Sequence, residues 1–340
     1  MDDGFSMDRR AVLRGASLGA AAGAIAGAGA LAPVGRALAQ SANVAAGGTK
    51  LYILGTQAGP SVGGPRYQTC YAIVTGKDIY VLDCGYGATE QLVRAGLKLP
   101  DVRNLYVTHI HADHLSDLSS LIYYTWYSGK ETPFGIYGPT PMKQIVGDTI
   151  SALKPSMDVW LEDIGHKPLE PITVHEFAAA GPVMEDENVK VTCTLVNHPP
   201  VVPALGYRFD MADKSIAFSG DTTPMESLAR LAKGCDILVH EAIYADSLRR
   251  RAGPAGDNRP GGETAGSGIA GDPDKLIAHV LGSHTTPEQA GRIATEAGVK
   301  TLVFAHIAPI PPAVTEKMYI DRAWTTFKGE IIVAHDLMVI

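Results

Sequence analysis

A string of six residues, 109–114, limits the possible folds and functions of this chain more than any other segment; it reads HIHADH. It follows an apolar stretch at 105–107 with the composition of a buried strand. Residues two apart in an extended chain point to the same side, so His109 and His111 can bind one metal ion. Asp113 and His114, at the start of the following helix, can face a second ion. Three imidazoles and a carboxylate so close together are difficult to bury without a ligand, so the string predicts a metal site.

Four ligands cannot complete two catalytic coordination spheres, so further His and Asp side chains are expected at later strand ends. Three residues meet this expectation, because each follows an apolar run and stands beside an abrupt turn: His198, Asp221 and His306. Imidazole and carboxylate donors suit a borderline Lewis acid, so zinc is the expected metal, with manganese or iron as alternatives. Two divalent ions per chain are therefore predicted.

Short β-branched runs and helical patterns are mixed along the whole chain from residue 50 onward. Strands are predicted at 51–54, 70–74, 79–82, 104–108, 189–197, 204–209, 215–219, 236–240, 301–304 and 330–334. Helices are predicted at 89–95, 115–127, 225–232 and 287–297. Two mixed sheets packed face to face with helices outside, an αβ/βα sandwich of the α+β class, satisfy this pattern. No linker interrupts it, so 50–340 is predicted to be one domain, with a Gly/Pro-rich loop at 253–273 that is either a lid or disordered.

The first residues have the layout of an export signal. Arg9 and Arg10 precede an Ala/Gly-rich apolar run, and Ala37 and Ala39 follow it as small residues two apart. This pattern is typical of a cleaved twin-arginine signal peptide, here at 1–39, followed by a flexible segment at 40–49. The run is only weakly apolar for a spanning helix, so the mature chain is expected to lack a membrane span. We therefore expect the export machinery as a partner and a periplasmic or secreted location.

Charge and cysteine content disfavour two further classes of protein. Residues 1–39 hold four basic and three acidic side chains out of 29 and 36, so the predicted mature chain carries a net charge of −8. Such a chain repels polyanions at long range, and a broad nucleic-acid surface is not expected. Four cysteines are too few for a disulfide scaffold. A bridge between Cys70 and Cys84, which flank a predicted turn, is left open.

These motifs together resemble the metallo-β-lactamase superfamily. The HIHADH string is similar to its signature, and the sequence VLDCG at 81–85 is similar to the motif that precedes it. The later motifs resemble the ribonuclease Z and arylsulfatase branch in their order: His198, SGDT at 219–222, HEA at 240–242, HTTPEQA at 284–290, and His306. The resemblance extends from about residue 51 to residue 306. It implies a metallo-β-lactamase-type four-layer αβ/βα sandwich.

The resemblance also implies a division of the ligands between two ions. One ion would be held by His109, His111 and His198, the other by Asp113, His114 and His306, with Asp221 bridging them. Asp83 would accept a hydrogen bond that orients ligand groups. Four other histidines lack a comparable setting and are interpreted as structural or surface residues: His166, His175, His279 and His335.

The expected chemistry is ester hydrolysis. Two bound ions lower the pKa of a shared water molecule, which supplies hydroxide near neutral pH. Asp113 can hold the proton of this nucleophile. The resemblance implies that His284, supported by Glu241, donates a proton to the leaving group, because a carboxylate partner fixes the imidazole tautomer and raises its basicity.

The segment between His198 and Asp221 bears on the substrate. The tRNA-processing members of this branch carry a long arm there, whereas here 22 residues intervene and two strands fill them. No tRNA partner is therefore expected. The predicted substrate is a small phosphodiester or a sulfate ester, as for a phosphodiesterase or arylsulfatase. A β-lactam or lactone hydrolase and an iron-dependent oxidoreductase of the same fold are the alternatives. The oligomeric state is open, and a homodimer is one possibility.

Overall fold

The computed structural model describes residues 48–60, 62, 65–246, 273–309 and 314–340. The predicted signal peptide at 1–39, residues 40–47 of the predicted flexible segment and residues 253–272 of the predicted loop lie outside these ranges. Among the described helices, none combines the length and the apolar character that crossing a membrane requires.

The described strands form two sheets of seven. The first sheet has the order β14-β1-β2-β3-β4-β5-β6 and contains β1 (Lys50–Gly55), β2 (Cys70–Thr75), β3 (Asp78–Leu82), β4 (Val102–Tyr106), β5 (Phe134–Pro139), β6 (Ile172–Phe177) and β14 (Met338–Val339). The second has the order β13-β12-β11-β10-β9-β8-β7 and contains β7 (Gly181–Glu185), β8 (Val189–His198), β9 (Val201–Met211), β10 (Ser215–Phe218), β11 (Ile237–Ile243), β12 (Thr301–Ala308) and β13 (Glu330–Val333).

Helices cover the outer faces of both sheets. The described helices are α1 (Ala88–Arg94), α2 (Ala112–Leu115), α3 (Leu118–Tyr127), α4 (Met142–Ile164), α5 (Glu226–Leu231), α6 (Pro273–Ser283), α7 (Pro287–Ala297) and α8 (Glu316–Trp324). Apolar side chains of α1, α3 and α4 pack on the first sheet, and those of α5, α7 and α8 pack on the second. The predicted fold class, a four-layer αβ/βα sandwich, is confirmed.

Side-chain alternation along the strands builds the core between the sheets. In β1, Leu51 and Ile53 face the second sheet, while Tyr52 and Leu54 face the helices. The strand therefore reads as a continuous apolar run, because both of its faces are buried. In the middle of the inter-sheet core, the ring of Phe209 packs 5.0 Å from that of Tyr106, measured between centroids.

Several local expectations differ from the structure. The helix predicted at 115–127 is divided into α2 and α3, because the backbone N–H of Asp117 donates to the carbonyl of Cys84 and its carboxylate accepts from the N–H of Thr89. The predicted loop ends before Pro273, which begins α6, where a proline suits a first turn. The bridge between Cys70 and Cys84, which the sequence left open, is not formed, because both are buried free thiols.

Strand direction brings the predicted site together. Strands β3 and β4 are parallel, and so are β10, β11 and β12, so their carboxyl ends meet at one edge of each sheet. The two edges touch where the N–H of Leu205 donates to the carbonyl of Thr108 at 2.9 Å. Gly220 adopts a φ of 58° there, and a Cβ at this position would lie 2.7 Å from the carbonyl oxygen of Leu205. Only glycine fits this turn between the sheets.

Candidate metal centre

The first cluster lies where β4 and β8 end. The ligand atoms of His109, His111, His198 and Asp221 are all within 4.8 Å of one another. Nδ1 of His111 lies 3.1 Å from Nε2 of His109 and 3.1 Å from Nε2 of His198. One nitrogen cannot satisfy both neighbours with a single proton, so three imidazole nitrogens converge on a point that suits a cation.

The second cluster lies beside the first and shares one residue with it. It contains Asp113, His114, Asp221 and His306, again within 4.8 Å of one another. Nε2 of His306 is 3.1 Å from Oδ2 of Asp113 and 3.2 Å from Oδ2 of Asp221. Asp221 thus belongs to both clusters, and its other oxygen, Oδ1, is buried without a hydrogen-bond partner among the described residues. A carboxylate placed in this way can bridge two ions.

Hydrogen bonds behind the clusters fix the ligand tautomers. Nδ1 of His114 donates to Oδ2 of Asp83 at 2.8 Å. The hydroxyl of Thr108 donates to the same oxygen at 2.9 Å, and it accepts from Nδ1 of His109 at 3.0 Å. Because Nδ1 carries the proton in both histidines, Nε2 presents its lone pair to the metal position. Asp83 therefore lies where an orienting carboxylate is expected, at a φ of 57° that non-glycine residues rarely adopt.

The electrostatics of the clusters match the needs of cations. Burial lowers the pKa of His109, His111 and His198, which keeps their rings neutral and their lone pairs available. Burial would raise the pKa of Asp113 and Asp221, but the neighbouring imidazoles outweigh it and hold both pKa values below the usual range. Burial opposes protonation of His114 as well, but the surrounding carboxylates outweigh it and raise its pKa well above the usual value.

Seven described side chains thus form two adjoining clusters of possible metal ligands without a thiolate, and they are the seven that the sequence predicts. Each cluster contains four possible ligands, because Asp221 belongs to both clusters. Buried carboxylates of this number are stable only when cations neutralise them. The donor types fit two divalent ions.

A third group of side chains lies next to the clusters. Nδ1 of His284 is 3.0 Å from Oε1 of Glu241 and 4.0 Å from Oδ2 of Asp221. Oε1 of Glu241 also accepts the N–H groups of Thr222 and Thr285, so the carboxylate cannot turn away. Burial opposes protonation of His284, but the charge and hydrogen bond of Glu241 outweigh it and raise the pKa of His284 to about 9. The pair is therefore built to carry a proton at His284.

One histidine that was interpreted as structural or surface lies at this site. The ring centroid of His279 is 6.3 Å from that of His111, 6.1 Å from that of His198 and 6.4 Å from that of His284. His279 is partly exposed and belongs to none of the possible ligand groups in the described part of the chain, so its interpretation as a structural or surface residue stays a prediction, but α6 brings its ring close to the first cluster. Pro273 as a helix start was the signal that would have placed His279 one helical turn before the end of α6.

A backbone group that the sequence did not indicate also contacts a ligand. The N–H of Gly59 donates to Oδ2 of Asp113 at 2.7 Å. A Cβ at Gly59 would lie 2.3 to 2.4 Å from side-chain atoms of Asp113, so only glycine allows this approach. The loop after β1 therefore positions one ligand of the second cluster.

Gly59→Ala is expected to weaken binding of the second ion by about 10- to 100-fold, the usual effect of disturbing a group that orients a ligand. The matched control is Gly147→Ala on α4, where an added Cβ meets nothing within 4 Å. Competition with a chromophoric chelator measures both affinities. Equal affinity in Gly59→Ala and the unsubstituted protein would show that the Gly59 contact has no role in binding.

Comparison with known proteins agrees with this geometry. Residues 49–249, more than half of the 340-residue chain, match the family model described as anti-Pycsar protein Apyc1. A ribonuclease Z of Mycobacterium sp. (strain KMS) is 30% identical over 268 residues, which cover 77% of this chain and 85% of the relative.

Two solved structures share the fold. Human tRNase Z, short form, aligns with a TM-score of 0.60 at 21% identity and covers 86% of this chain and 98% of its own. The metallo-β-lactamase-fold protein YhfI from Bacillus subtilis aligns with a TM-score of 0.60 at 18% identity, with coverage of 86% and 98%. The sequence matches and the paired clusters thus place this chain among the metallo-β-lactamase-fold hydrolases of the ribonuclease Z branch, and it belongs to the Apyc1 family.

Proposed function

We propose that this chain is a dinuclear zinc hydrolase that cleaves a small phosphodiester. The observation that carries the proposal is the position of the Glu241–His284 pair, whose imidazole lies 4.0 Å from the carboxylate shared by both clusters. A proton donor so close to the metal positions serves a reaction in which an oxygen leaves as an alcohol.

Each group has a distinct part in this reaction. The two clusters would hold two zinc ions, which would supply hydroxide near neutral pH and polarise the ester. Asp113 accepts a hydrogen bond from the attacking oxygen and orients it. As the new P–O bond forms, the bond from phosphorus to the leaving oxygen breaks, and His284 donates its proton to that oxygen. Glu241 holds the His284 ring in place and keeps it protonated beforehand.

The choice of a phosphodiester rests on the relatives, and the choice of a small one rests on the fold. Relatives of 30% identity are named ribonuclease Z, a name that refers to cleavage of RNA. In this chain, β9 and β10 with their turns occupy the whole segment between His198 and Asp221. A tRNA-binding arm at that place has no residues to build it, so we propose a substrate smaller than tRNA.

A panel of nitrophenyl esters tests the substrate class. The zinc-loaded protein would be assayed with bis(p-nitrophenyl) phosphate, p-nitrophenyl sulfate, p-nitrophenyl acetate, a lactone and a cephalosporin, with chelated protein as the control. We expect kcat/KM for the phosphodiester to exceed that for each other substrate by about 100-fold or more. A site whose charges match one transition state can discriminate between substrates by this factor. A higher value for the sulfate, the acetate, the lactone or the cephalosporin would contradict the proposal.

We also propose that residues 1–39 direct export through the twin-arginine pathway, supported by the adjacent Arg9 and Arg10. Full-length protein produced in a bacterium with this pathway is expected in the periplasm, cut after Ala39. The double substitution of Arg9 and Arg10 by lysine should retain it in the cytoplasm. Unchanged fractionation of that variant would rule out this route.

A further inference from the structure

We propose that His279 binds the leaving group of the substrate and sets the preference for it; this inference rests on the proposed function. The group it would recognise is an alcohol that carries a second oxygen next to the ester oxygen, as a sugar or glycerol moiety does.

His279 stands outside the metal clusters and faces them. The ligand rings of the first cluster are 4.7 to 4.9 Å apart between centroids, whereas His279 is 6.1 and 6.3 Å from the nearest two of them. It also belongs to none of the ligand groups found among the described residues. A residue at this distance can contact what the ions hold without coordinating them.

Its exposure places it at the mouth of the site. His198 and His109 are buried, with exposed fractions of 1% and 0%, whereas His111, His284 and His279 are partly exposed and mark the open side of the site. Neither of its ring nitrogens has a hydrogen-bond partner among the described residues. An imidazole with a free N–H at the entrance is available to a hydroxyl or ether oxygen of the substrate.

The position of His279 relative to His284 indicates which part of the substrate His279 would contact. Its ring centroid is 6.4 Å from that of His284, which donates to the leaving oxygen in the proposed reaction. Both histidines come from the end of α6 and the residue that follows it. A leaving oxygen that His284 protonates therefore places the rest of the leaving group within reach of His279.

The backbone of α6 couples this position to a metal ligand. The hydroxyl of Ser283 donates to the carbonyl of His279 at 2.6 Å. The carbonyl of Ser283 accepts from Nδ1 of His198 at 3.0 Å. The last turn of α6 is therefore held against the first cluster, which keeps the imidazole of His279 at a defined distance from the bound substrate.

A pair of substrates that differ by one oxygen tests the inference. The zinc-loaded protein would be assayed with methyl 4-nitrophenyl phosphate and its 2-methoxy analogue. Nitrophenolate leaves without a proton, so the contribution of His284 is small for both. We expect the preference for the methoxy substrate, as a ratio of kcat/KM values, to fall about two- to tenfold in His279→Ala, the range for one hydrogen bond. The change should appear mainly in KM.

Three further measurements make the result specific. His279→Gln keeps an N–H donor and should restore part of the preference. Gly282→Ala on the same helix adds a Cβ that meets nothing within 4 Å, and it should leave the preference for the methoxy substrate unchanged. Metal content should remain two per chain in every variant.

The possible failures are distinguishable. Absence of phosphodiester hydrolysis in the unsubstituted protein would overturn the proposed function. An active protein whose preference is the same with and without His279 would overturn this inference alone, as would loss of metal in His279→Ala.

Discussion

Asp221→Ala is expected to remove both metal ions and to lower phosphodiesterase turnover by at least about 10³-fold, because metal ions contribute several kcal/mol to such transition states. The reason is geometric. Oδ2 of Asp221 lies 3.2 Å from Nε2 of His306, 3.4 Å from that of His114 and 3.7 Å from that of His109. Loss of any other ligand affects one cluster, whereas loss of this one affects both. Elemental analysis and turnover of bis(p-nitrophenyl) phosphate measure the two effects.

The control for this substitution is an exposed aspartate. Asp321 on α8 forms an i,i+4 ion pair with Lys317, and both side chains are more than half exposed. Asp321→Ala should therefore change neither metal content nor turnover, and stability by less than about 0.5 kcal/mol. A thermal melt of Asp221→Ala separates loss of the ligand from loss of the fold. Two ions retained by a folded Asp221→Ala protein would refute the bridging role.

His284→Ala is expected to lower kcat by about 10²- to 10⁴-fold for an alkyl phosphodiester, the range that general acid catalysis contributes. The loss should be much smaller for a nitrophenyl ester, because nitrophenolate needs no proton to leave. Both ions should remain bound, since each cluster is complete without His284. Comparison of kcat for the two ester types, with metal analysis of the same samples, measures the effect.

Glu241→Gln is the companion variant. The amide can still accept the hydrogen bond from His284, but it carries no charge to favour the protonated ring. Its kcat for the alkyl ester should therefore lie between those of the unsubstituted protein and His284→Ala. If metal content fell in His284→Ala, or if both ester types lost turnover equally, His284 would not be the proton donor.

Much of the site followed from the sequence because its ligands sit where strands end. The period of two places His109 and His111 on one side of an extended chain, and an abrupt turn after an apolar run exposes a side chain at the sheet edge. His198 and Asp221 have this setting at the ends of β8 and β10. His306 does not, because β12 continues past it to Ala308; a φ of 51° and a register shift against β11 expose its side chain instead. Parallel strands then bring these separate segments to the same edge of the sheets. Ligands that are far apart in the sequence could therefore be predicted to lie together.

The contacts that were missed have no local signature. Gly59 meets Asp113 across 54 positions of the chain, and Ser283 meets His198 across 85. Both contacts use a backbone N–H or carbonyl group. Such groups occur along the whole chain, so the residue types do not predict these contacts. They depend on how a loop and a helix end pack, and the sequence alone does not give that packing.

Three missed elements have a different physical reason. Helix α4 contains Pro155 in its interior, where a missing N–H and a ring clash argue against a helix. Strand β7 contains Pro182, which a strand tolerates here because β7 lies at the edge of its sheet. Strand β5 contains Gly135 and Gly138, and side chains of neighbouring strands and α4 fill the space that a Cβ would take. Tertiary packing outweighs local preference at each of these places.

The most direct test of a dinuclear phosphodiesterase is a zinc titration of the metal-free protein, with bound metal and hydrolysis of bis(p-nitrophenyl) phosphate measured in each sample. The paired clusters predict that activity saturates at two zinc ions per chain. Saturation at one ion, two bound ions without hydrolysis, or a purified protein that holds one iron and consumes oxygen would contradict this account.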